Sequence, residues 1–202
     1  MARTQEQRKA ATRAGLLDAA ADQFARKGFH AVSAEAVADA ADRTTGALYA
    51  HFGSKEGLLF ALVDDYRDAT ADAVLTSVPD PGDLDGIIAA AWDHIVAGSD
   101  TQGSRWLLLE IELWLHGARD ATIGGQLAER YAHIRGDLAD GLAAWADAHD
   151  AELVAPAADL AARALSFLLG AALQHRLDPG SITGSEVIDA VHLLVTDPRR
   201  HA

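Results

Sequence analysis

Residues 44–56 carry more information than any other stretch of the chain, and they read Thr-Thr-Gly-Ala-Leu-Tyr-Ala-His-Phe-Gly-Ser-Lys-Glu. Helical spacing places Leu48 and Phe52 on one face, where both can pack into a core. The outer face is left with a hydroxyl, a small residue, an aromatic ring and an imidazole, from Thr45, Gly46, Tyr49 and His51. This mixture on a short helix suits a surface that meets DNA better than it suits a buried helix.

The residues around this stretch predict a helix-turn-helix. Ser33 caps a short second helix, residues 42–43 form a turn, and Thr44 caps a third helix that runs to about residue 52. Gly53 ends that helix, and Ser54 caps a fourth helix. A short helix, a turn and a second short helix together place the third helix in the position that reads the major groove.

The segment resembles the recognition helix of TetR-family (tetracycline repressor-like) transcriptional regulators, with specific motifs over about residues 12–62. The shared pattern is Gly-x-Leu-Tyr-x-His-Phe-x-x-Lys-Glu-x-Leu, formed here by Gly46, Leu48, Tyr49, His51, Phe52, Lys55, Glu56 and Leu58. Residues 103–150 are loosely similar to the ligand-binding domains of BetI-type, choline-responsive regulators. The resemblance implies a three-helix DNA-binding head followed by a helical body that binds a ligand and dimerises.

An all-α fold of about nine helices is expected, because alanine and leucine dominate and the alternation typical of strands is absent. The clearest break in the pattern is Val-Pro-Asp-Pro-Gly-Asp at residues 78–83. We therefore expect a helix-turn-helix DNA-binding domain over 1–53, a connecting helix over 54–77, and a ligand-binding and dimerisation domain over 78–202. The predicted helices cover 6–27, a short helix between the Ser33 cap and the turn at 42–43, 45 to about 52, 55 to about 75, 84–98, 103–117, 122–149, 157–177 and 185–195.

The net charge of −13 is distributed unevenly along the chain. Residues 1–60 hold eight basic and seven acidic residues, whereas residues 61–202 hold nine and 23. A near-neutral head can approach phosphates while the acidic body stays away from them. The chain has no cysteine, which fits a reducing cytoplasm, and no apolar run approaches the roughly 18 residues of a membrane span.

The resemblance assigns DNA contacts to the two short helices and to the start of the fourth. These residues are Ser33, Ala34, Thr44, Thr45, Gly46, Tyr49, His51 and Lys55. A basic arm of Arg3, Arg8, Lys9 and Arg13 could add contacts to phosphates, or it could be a solubilising tail. Thr44 could equally act only as a helix cap. Alanine at positions 47 and 50 leaves few groups to read bases, so dimer spacing and DNA shape should share in specificity.

A helix this short needs a second copy to bind DNA tightly, so a homodimer is expected. The resemblance places the dimer interface on the last two helices, where large apolar residues alternate with small ones. The predicted interface residues are Leu160, Leu168, Gly170, Ala171, Leu173, Val187, Val191 and Leu194. An ordinary intramolecular core would explain the same pattern.

A pocket for a small-molecule effector is expected among the aromatic residues of the body. The predicted pocket residues are Trp92, Trp106, Glu110, Trp114, Tyr131 and Phe167. Helical aromatics are more often core residues, which is the alternative reading. Carboxylates near these rings would permit a cationic effector held by cation–π contact.

Taken together, these features predict a homodimeric transcriptional regulator, favoured as a repressor that leaves double-stranded operator DNA when an effector binds. No cofactor, metal or catalytic residue is expected. The alternatives are a metal-sensing regulator that uses Glu112 and His116 at helical spacing, an enzyme, and a helical interaction protein that does not bind DNA. The absence of His-Glu-x-x-His, phosphate-loop and nucleophile-elbow motifs argues against an enzyme.

Overall fold

The computed structural model describes residues 4–78, 80, 82–96 and 102–195 of the 202-residue chain. Within these ranges the chain forms nine α-helices. The predicted all-α fold is confirmed, and most predicted helix ends fall within two residues of the observed ones. The helices are α1 Gln5–Lys27, α2 Ala34–Ala40, α3 Thr45–Phe52, α4 Lys55–Ser77, α5 Leu84–Val96, α6 Gln102–Gly117, α7 Ala121–Ala148, α8 Ala157–Leu177 and α9 Gly184–Val195.

Local side-chain caps explain why the boundaries were predictable. Thr4 and Gln7 form a reciprocal capping box at the start of α1. Asp120 accepts the amides of residues 122 and 123 at the start of α7. Gly28 and Gly53 end α1 and α3 with φ of 80° and 75°, a region that side chains disfavour.

The chain divides into two compact units. The first comprises residues 1–69 and 99–116, and the second comprises residues 70–98 and 117–202. The division falls inside α4 and groups α6 with the N-terminal helices. It therefore differs from a simple break at residues 78–83, because chain order alone does not show which helix packs with which.

The first unit has a core built from one face of each N-terminal helix. Leu16, Ala20 and Phe24 of α1 are buried, and so are Val37 of α2 and Leu48 of α3. The i, i+4, i+8 spacing in α1 puts its three residues on a single stripe. The ring of Phe24 meets Phe29, just beyond the helix, edge to face at 5.2 Å.

The second unit packs α7 and α9 on α8, with α5 against α8 and α9. Val187, Val191 and Val195 form the buried stripe of α9, and Leu160 and Ala161 of α8 are fully buried. These contacts lie within one chain and give the unit its hydrophobic core.

Four residues predicted for the dimer interface are buried inside the chain itself, so their side chains cannot meet a partner. They are Leu160, Ala171, Val187 and Val191. At these positions the structure favours the alternative of an intramolecular core, because an apolar stripe looks the same whether it faces its own core or another copy. The other four predicted positions, Leu168, Gly170, Leu173 and Leu194, are half-buried.

Within the described residues, α8 is the one helix long and apolar enough to cross a membrane, judged by length and composition alone. Its most apolar window has a mean hydropathy of 1.2, and 33% of that window is buried in the fold. In the second unit, α8 packs against α5, α7 and α9.

Candidate functional site

The outer face of α3 is small and open. Leu48 is fully buried and anchors the helix, while Tyr49 is 46% exposed. Gly46 and Ala50 are exposed beside Tyr49. The face therefore offers one large side chain between two positions that carry little or none, which lets a helix backbone approach another surface closely.

A tight turn holds α3 against α2. The amide of Arg43 donates to the carbonyl of Ala38 at 2.9 Å, and Asp42 adopts a left-handed φ of 53°. Asp is among the few residues that occupy this region readily, because its short polar side chain can hydrogen-bond locally. Both α1 and α2 pack against α3, so the predicted helix-turn-helix is present in the structure.

The caps of α2 and α3 engage the hydroxyls that were predicted to contact DNA. Ser33 Oγ accepts the amide of Ala36 at 3.2 Å, and Thr44 Oγ1 accepts the amide of Ala47 at 3.1 Å. The pKa of the Glu35 carboxyl is lowered by a hydrogen bond from its own amide and then by one from Ser33. The Ser33 hydroxyl is thus used in both directions, whereas the hydroxyl hydrogen of exposed Thr44 remains available to an acceptor such as phosphate.

The other predicted residues on these helices differ in accessibility. Thr45 and His51 are half-buried, and the His51 ring lies 5.9 Å from Phe52. Ala34 differs from expectation, because its side chain is buried in the core of the first unit. A contact from Ala34 would have to come from its main-chain amide in the first turn of α2.

Lys55 also differs from the expected role as an outward phosphate contact. Its Nζ donates to the carbonyls of Phe29 and Val32, both at 3.0 Å, and lies 4.1 Å from the centre of the Phe29 ring. Both carbonyls lie in the loop between α1 and α2. The Phe29 carbonyl also accepts the amide of Val32, and the ammonium supplies the donor that the Val32 carbonyl otherwise lacks among the described residues. Lys55 therefore ties the start of α4 to this loop and positions the helix-turn-helix from inside.

The basic arm is only partly described, since Arg3 lies outside the described residues. Arg8 and Lys9 are exposed in the first turns of α1. Arg13 is exposed as well, but its guanidinium pairs with Asp65 of α4 at 3.2 Å and lies 5.9 Å from the Phe52 ring. Arg8 and Lys9 thus remain the cations of the arm that face solvent.

The second unit contains a partly open cavity of about 430 Å³ between α5, α7, α8 and α9. We call it the apolar cavity. Its wall is almost wholly hydrocarbon, and it includes Leu84, Ile87 and Ile88 of α5, Leu142 and Trp145 of α7, Leu168 of α8, and Val191 and Val195 of α9. A cleft of this size and character is typical of small-molecule sites.

None of the six residues predicted for the effector pocket lines the apolar cavity. Trp106 and Glu110 are buried in the first unit, where Trp106 stacks on Tyr66 at 5.1 Å, and Trp114 in the same unit is partly exposed. In the second unit, Trp92 is buried against His175 at 5.4 Å, Tyr131 lies 5.6 Å from Arg130, and Phe167 borders a shallow groove on α8.

The signal that sequence reasoning missed is a set of small residues facing one another. Gly141 and Ala144 of α7 oppose Ala161 and Ala164 of α8 around the cavity, and Trp145 closes its wall. Small side chains on two packed helices leave the space that a ligand can fill. These small residues can be found in the sequence, but they indicate a cavity only when it is known that α7 packs against α8.

The described residues contain no group of three or more His, Asp or Glu side chains that could hold a metal ion. Of the pair considered for metal sensing, His116 stacks on His30 with ring centres 5.4 Å apart. The Glu112 carboxylate lies close to the backbone of Gly28. Both residues thus pack around the end of α1.

Comparison with known proteins places the helix-turn-helix in one family. Residues 16–62 match the family described as bacterial regulatory proteins, tetR family. The HTH-type transcriptional repressor KstR2 of Rhodococcus jostii (strain RHA1) is 32% identical over 93 residues, which is 44% of this chain and 46% of that protein. The aligned region thus spans less than half of this curated relative.

Solved structures share the fold over nearly the whole chain. A TetR-family member from Streptomyces coelicolor A3 has a TM-score of 0.70 at 23% identity, covering 92% of this chain and 99% of that one. The fatty acid degradation regulator FadR from Bacillus halodurans has a TM-score of 0.71 at 15% identity, covering 98% and 99%. The helix-turn-helix over residues 16–62 thus matches the tetR family of bacterial regulatory proteins, and the whole chain shares its fold with these solved regulators.

Proposed function

We propose that the protein is a cytoplasmic, homodimeric repressor that binds operator DNA through α3 and is released when a small molecule occupies the apolar cavity. The observation that carries the DNA-binding part is the outer face of α3. This face presents Gly46, Tyr49 and Ala50 to solvent, while Leu48 and the Thr44 cap hold the helix in place. A short, firmly anchored helix with a low outer profile fits the major groove.

The expected contacts are few. Thr44 and Tyr49 can donate hydroxyls to phosphate oxygens, and exposed Arg8 and Lys9 can add electrostatic attraction. Alanine at positions 47 and 50 offers only methyl groups, which can meet thymine methyls but form no hydrogen bonds with bases. Specificity should therefore depend strongly on the separation of two heads across a two-fold axis.

The dimer surface should use apolar side chains that the chain leaves uncovered. Leu177 at the end of α8 is 81% exposed and Leu193 of α9 is 63% exposed. Gly170, Leu173 and Leu194 are half-buried nearby in sequence on the same two helices. Burial of such side chains against a second copy would supply the hydrophobic driving force for pairing.

Release by an effector is a matter of linkage. We expect the effector to bind best to a dimer conformation in which the spacing of the two helix-turn-helix heads does not match the operator half-sites. Such an effector lowers the affinity for DNA, and DNA lowers the affinity for the effector by the same factor. Helix α4 begins in the first unit and ends in the second, so it is the continuous element through which the two sites can influence each other.

Fluorescence anisotropy with DNA from upstream of the protein's own gene tests the proposal. Tyr49→Ala should weaken binding by about 1–3 kcal/mol, while its circular dichroism and thermal unfolding stay those of the parent, because Tyr49 lies outside the core. Tyr49→Phe is the matched variant, and it isolates the hydroxyl from the ring. Unchanged DNA affinity in Tyr49→Ala would remove α3 from the interface.

A further inference from the structure

The polar groups on the wall of the apolar cavity are almost all acceptors. Only three side chains on the wall carry a nitrogen or oxygen: Asp137, Trp145 and His149. The indole Nε1–H of Trp145 is already used, since it donates to the carbonyl of Gly82 at 3.1 Å. Two groups are therefore left to orient a bound molecule.

The acceptor character of His149 follows from its own hydrogen bond. Its Nδ1 lies 2.8 Å from the carbonyl oxygen of Trp145, and a carbonyl can only accept, so Nδ1 carries the hydrogen. In the neutral ring Nε2 then presents a lone pair. The Asp137 carboxylate accepts only, and this exposed side chain forms no hydrogen bond or ion pair within the described part of the chain.

The surroundings of the cavity disfavour an anion. No lysine or arginine lines it. The start of α5, where free amides could hold an anion, is already occupied by the chain's own carboxylates. Asp83 accepts the amide of Gly86, and Asp80 accepts the amide of Gly82, each at 2.8 Å.

The two acceptors stand at separate places on α7. Twelve residues separate Asp137 from His149, about 18 Å along a helix axis. A single charged group can therefore meet only one of them. The one that bears a full negative charge without a partner is Asp137.

We propose that the apolar cavity binds a hydrophobic amine, a molecule with a hydrocarbon body and one protonated nitrogen that donates to Asp137. The hydrocarbon fills the space between α5, α7, α8 and α9, and fatty-acid-like anions are rejected. This inference rests on the proposed function for the cavity as the effector site, but the binding chemistry is measured without DNA.

Three probes with the same alkyl chain test the proposal by titration calorimetry: decylamine, decan-1-ol and sodium decanoate. Decylamine should bind about tenfold or more tightly than decanoate, because a hydrogen bond to a charged partner is replaced by repulsion. Decan-1-ol should lie between them. Decanoate binding as tightly as decylamine would overturn the proposal, and so would the absence of binding by all three probes.

Two charge variants identify the acceptor. Asp137→Asn should weaken decylamine binding about tenfold and leave decan-1-ol unchanged, since only the ionic part of the contact is lost. Asp140→Asn is the matched control, because Asp140 is an exposed aspartate of α7 that does not line the cavity. An equal effect of both variants would mean that general acidity attracts the amine, and the proposal would fail.

Filling the cavity separates specific binding from adsorption to exposed apolar surface. A side chain added at Gly141 starts in open space, because a Cβ there meets no atom within 4 Å. Gly141→Leu should therefore fold and lose binding of all three probes. Leu142→Trp is a second filling variant. Retained decylamine binding in folded Gly141→Leu would contradict the proposed location.

The proposal of an amine site and the proposal of a DNA-binding regulator can be contradicted independently of each other. Decylamine binding that depends on Asp137, in a protein that binds no DNA, would leave the amine site standing and overturn the regulator. DNA binding that depends on Tyr49, with no probe bound, would do the reverse. If both hold, saturating decylamine should lower DNA affinity, and the Asp137→Asn variant should need about tenfold more of it.

Discussion

The role of a single side chain in this protein cannot always be predicted from its residue type. Lys55 belongs to a motif associated with DNA contact, yet its ammonium holds two loop carbonyls inside the first unit. Thr44 does what its type suggests and caps α3. The two residues differ in how far along the sequence their hydrogen-bond partners lie. A cap reaches three residues along the chain, whereas the carbonyls bound by Lys55 lie 23 and 26 residues away.

Replacing Lys55 distinguishes its internal role from a phosphate contact. Lys55→Met keeps the aliphatic stem but removes the donor from two part-buried carbonyls, of which, within the described residues, only that of Phe29 keeps another hydrogen bond, from the amide of Val32. The free energy of unfolding should therefore fall by about 1–3 kcal/mol. Urea unfolding measures the loss. The matched control is Lys27→Met, whose Nζ bonds Gln23 at the exposed end of α1 and should change stability by less than about 0.5 kcal/mol. If Lys55→Met lowered the affinity for DNA without changing the free energy of unfolding, Lys55 would instead be a phosphate contact.

At the scale of the element, helix ends are encoded locally and were predictable. Ser33, Thr44, Gly28 and Gly53 mark the ends of the first three helices, and the structure places the ends there. The faces of the helices were less predictable. Apolar stripes in α8 and α9 turned out to face their own chain, because helical periodicity gives the direction of a stripe and not the identity of its neighbour.

Replacing glycine by alanine should change the free energy of unfolding in opposite directions at two positions. Gly53 has φ of 75°, so Gly53→Ala should destabilise the fold by about 1 kcal/mol through backbone strain alone, since its Cβ would meet no atom within 4 Å. Gly125 lies within α7 and is also unobstructed, so Gly125→Ala should stabilise by roughly 0.5–1 kcal/mol. Chemical unfolding checks both, and equal signs would contradict the assigned conformations.

The start of α9 should respond to acid. The pKa of Glu186 is lowered by the backbone amide of Thr183 and then by its hydroxyl, each donating to Oε2 at 2.8 Å. Because the folded pKa lies below the ordinary 4.5, this stabilisation is present above that pH and is lost as pH falls through the folded pKa. Glu186→Gln should therefore lower the melting temperature at pH 7 but have little effect at the acid end of the titration. If the melting temperatures of the parent and Glu186→Gln differed by the same amount at every pH, the charge of Glu186 would not be the source of the stabilisation.

At the scale of the whole molecule, most of the net negative charge lies in the second unit, while α3 and the basic arm belong to the first. The residues proposed to contact DNA and the residues proposed to dimerise and bind an effector therefore belong to different units. This distribution of charge also explains how a chain with net charge −13 can approach phosphates.

The dimer proposal predicts a concentration-dependent dissociation in a variant of α9. Leu193→Glu places a charge at a 63% exposed position, so each chain should fold normally while pairing weakens. Sedimentation velocity measures the change. Asp189→Glu, at an exposed position one turn earlier, is the control with its charge preserved. A parent protein that sediments as a monomer, or a variant that stays fully dimeric, would contradict this surface.

The sequence by itself determined the helical class, the positions of the helix ends and the helix-turn-helix, because caps, glycine stops and apolar periodicity act over a few residues. It also identified the family that the helix-turn-helix matches, since the motif of α3 is local. Only the tertiary structure decided that Lys55 points inward and that the stripe of α9 faces its own chain. It also decided that the apolar cavity lies around Trp145 and not around the other tryptophans. These outcomes depend on which helices pack together, and that choice is made by contacts between residues far apart in the chain.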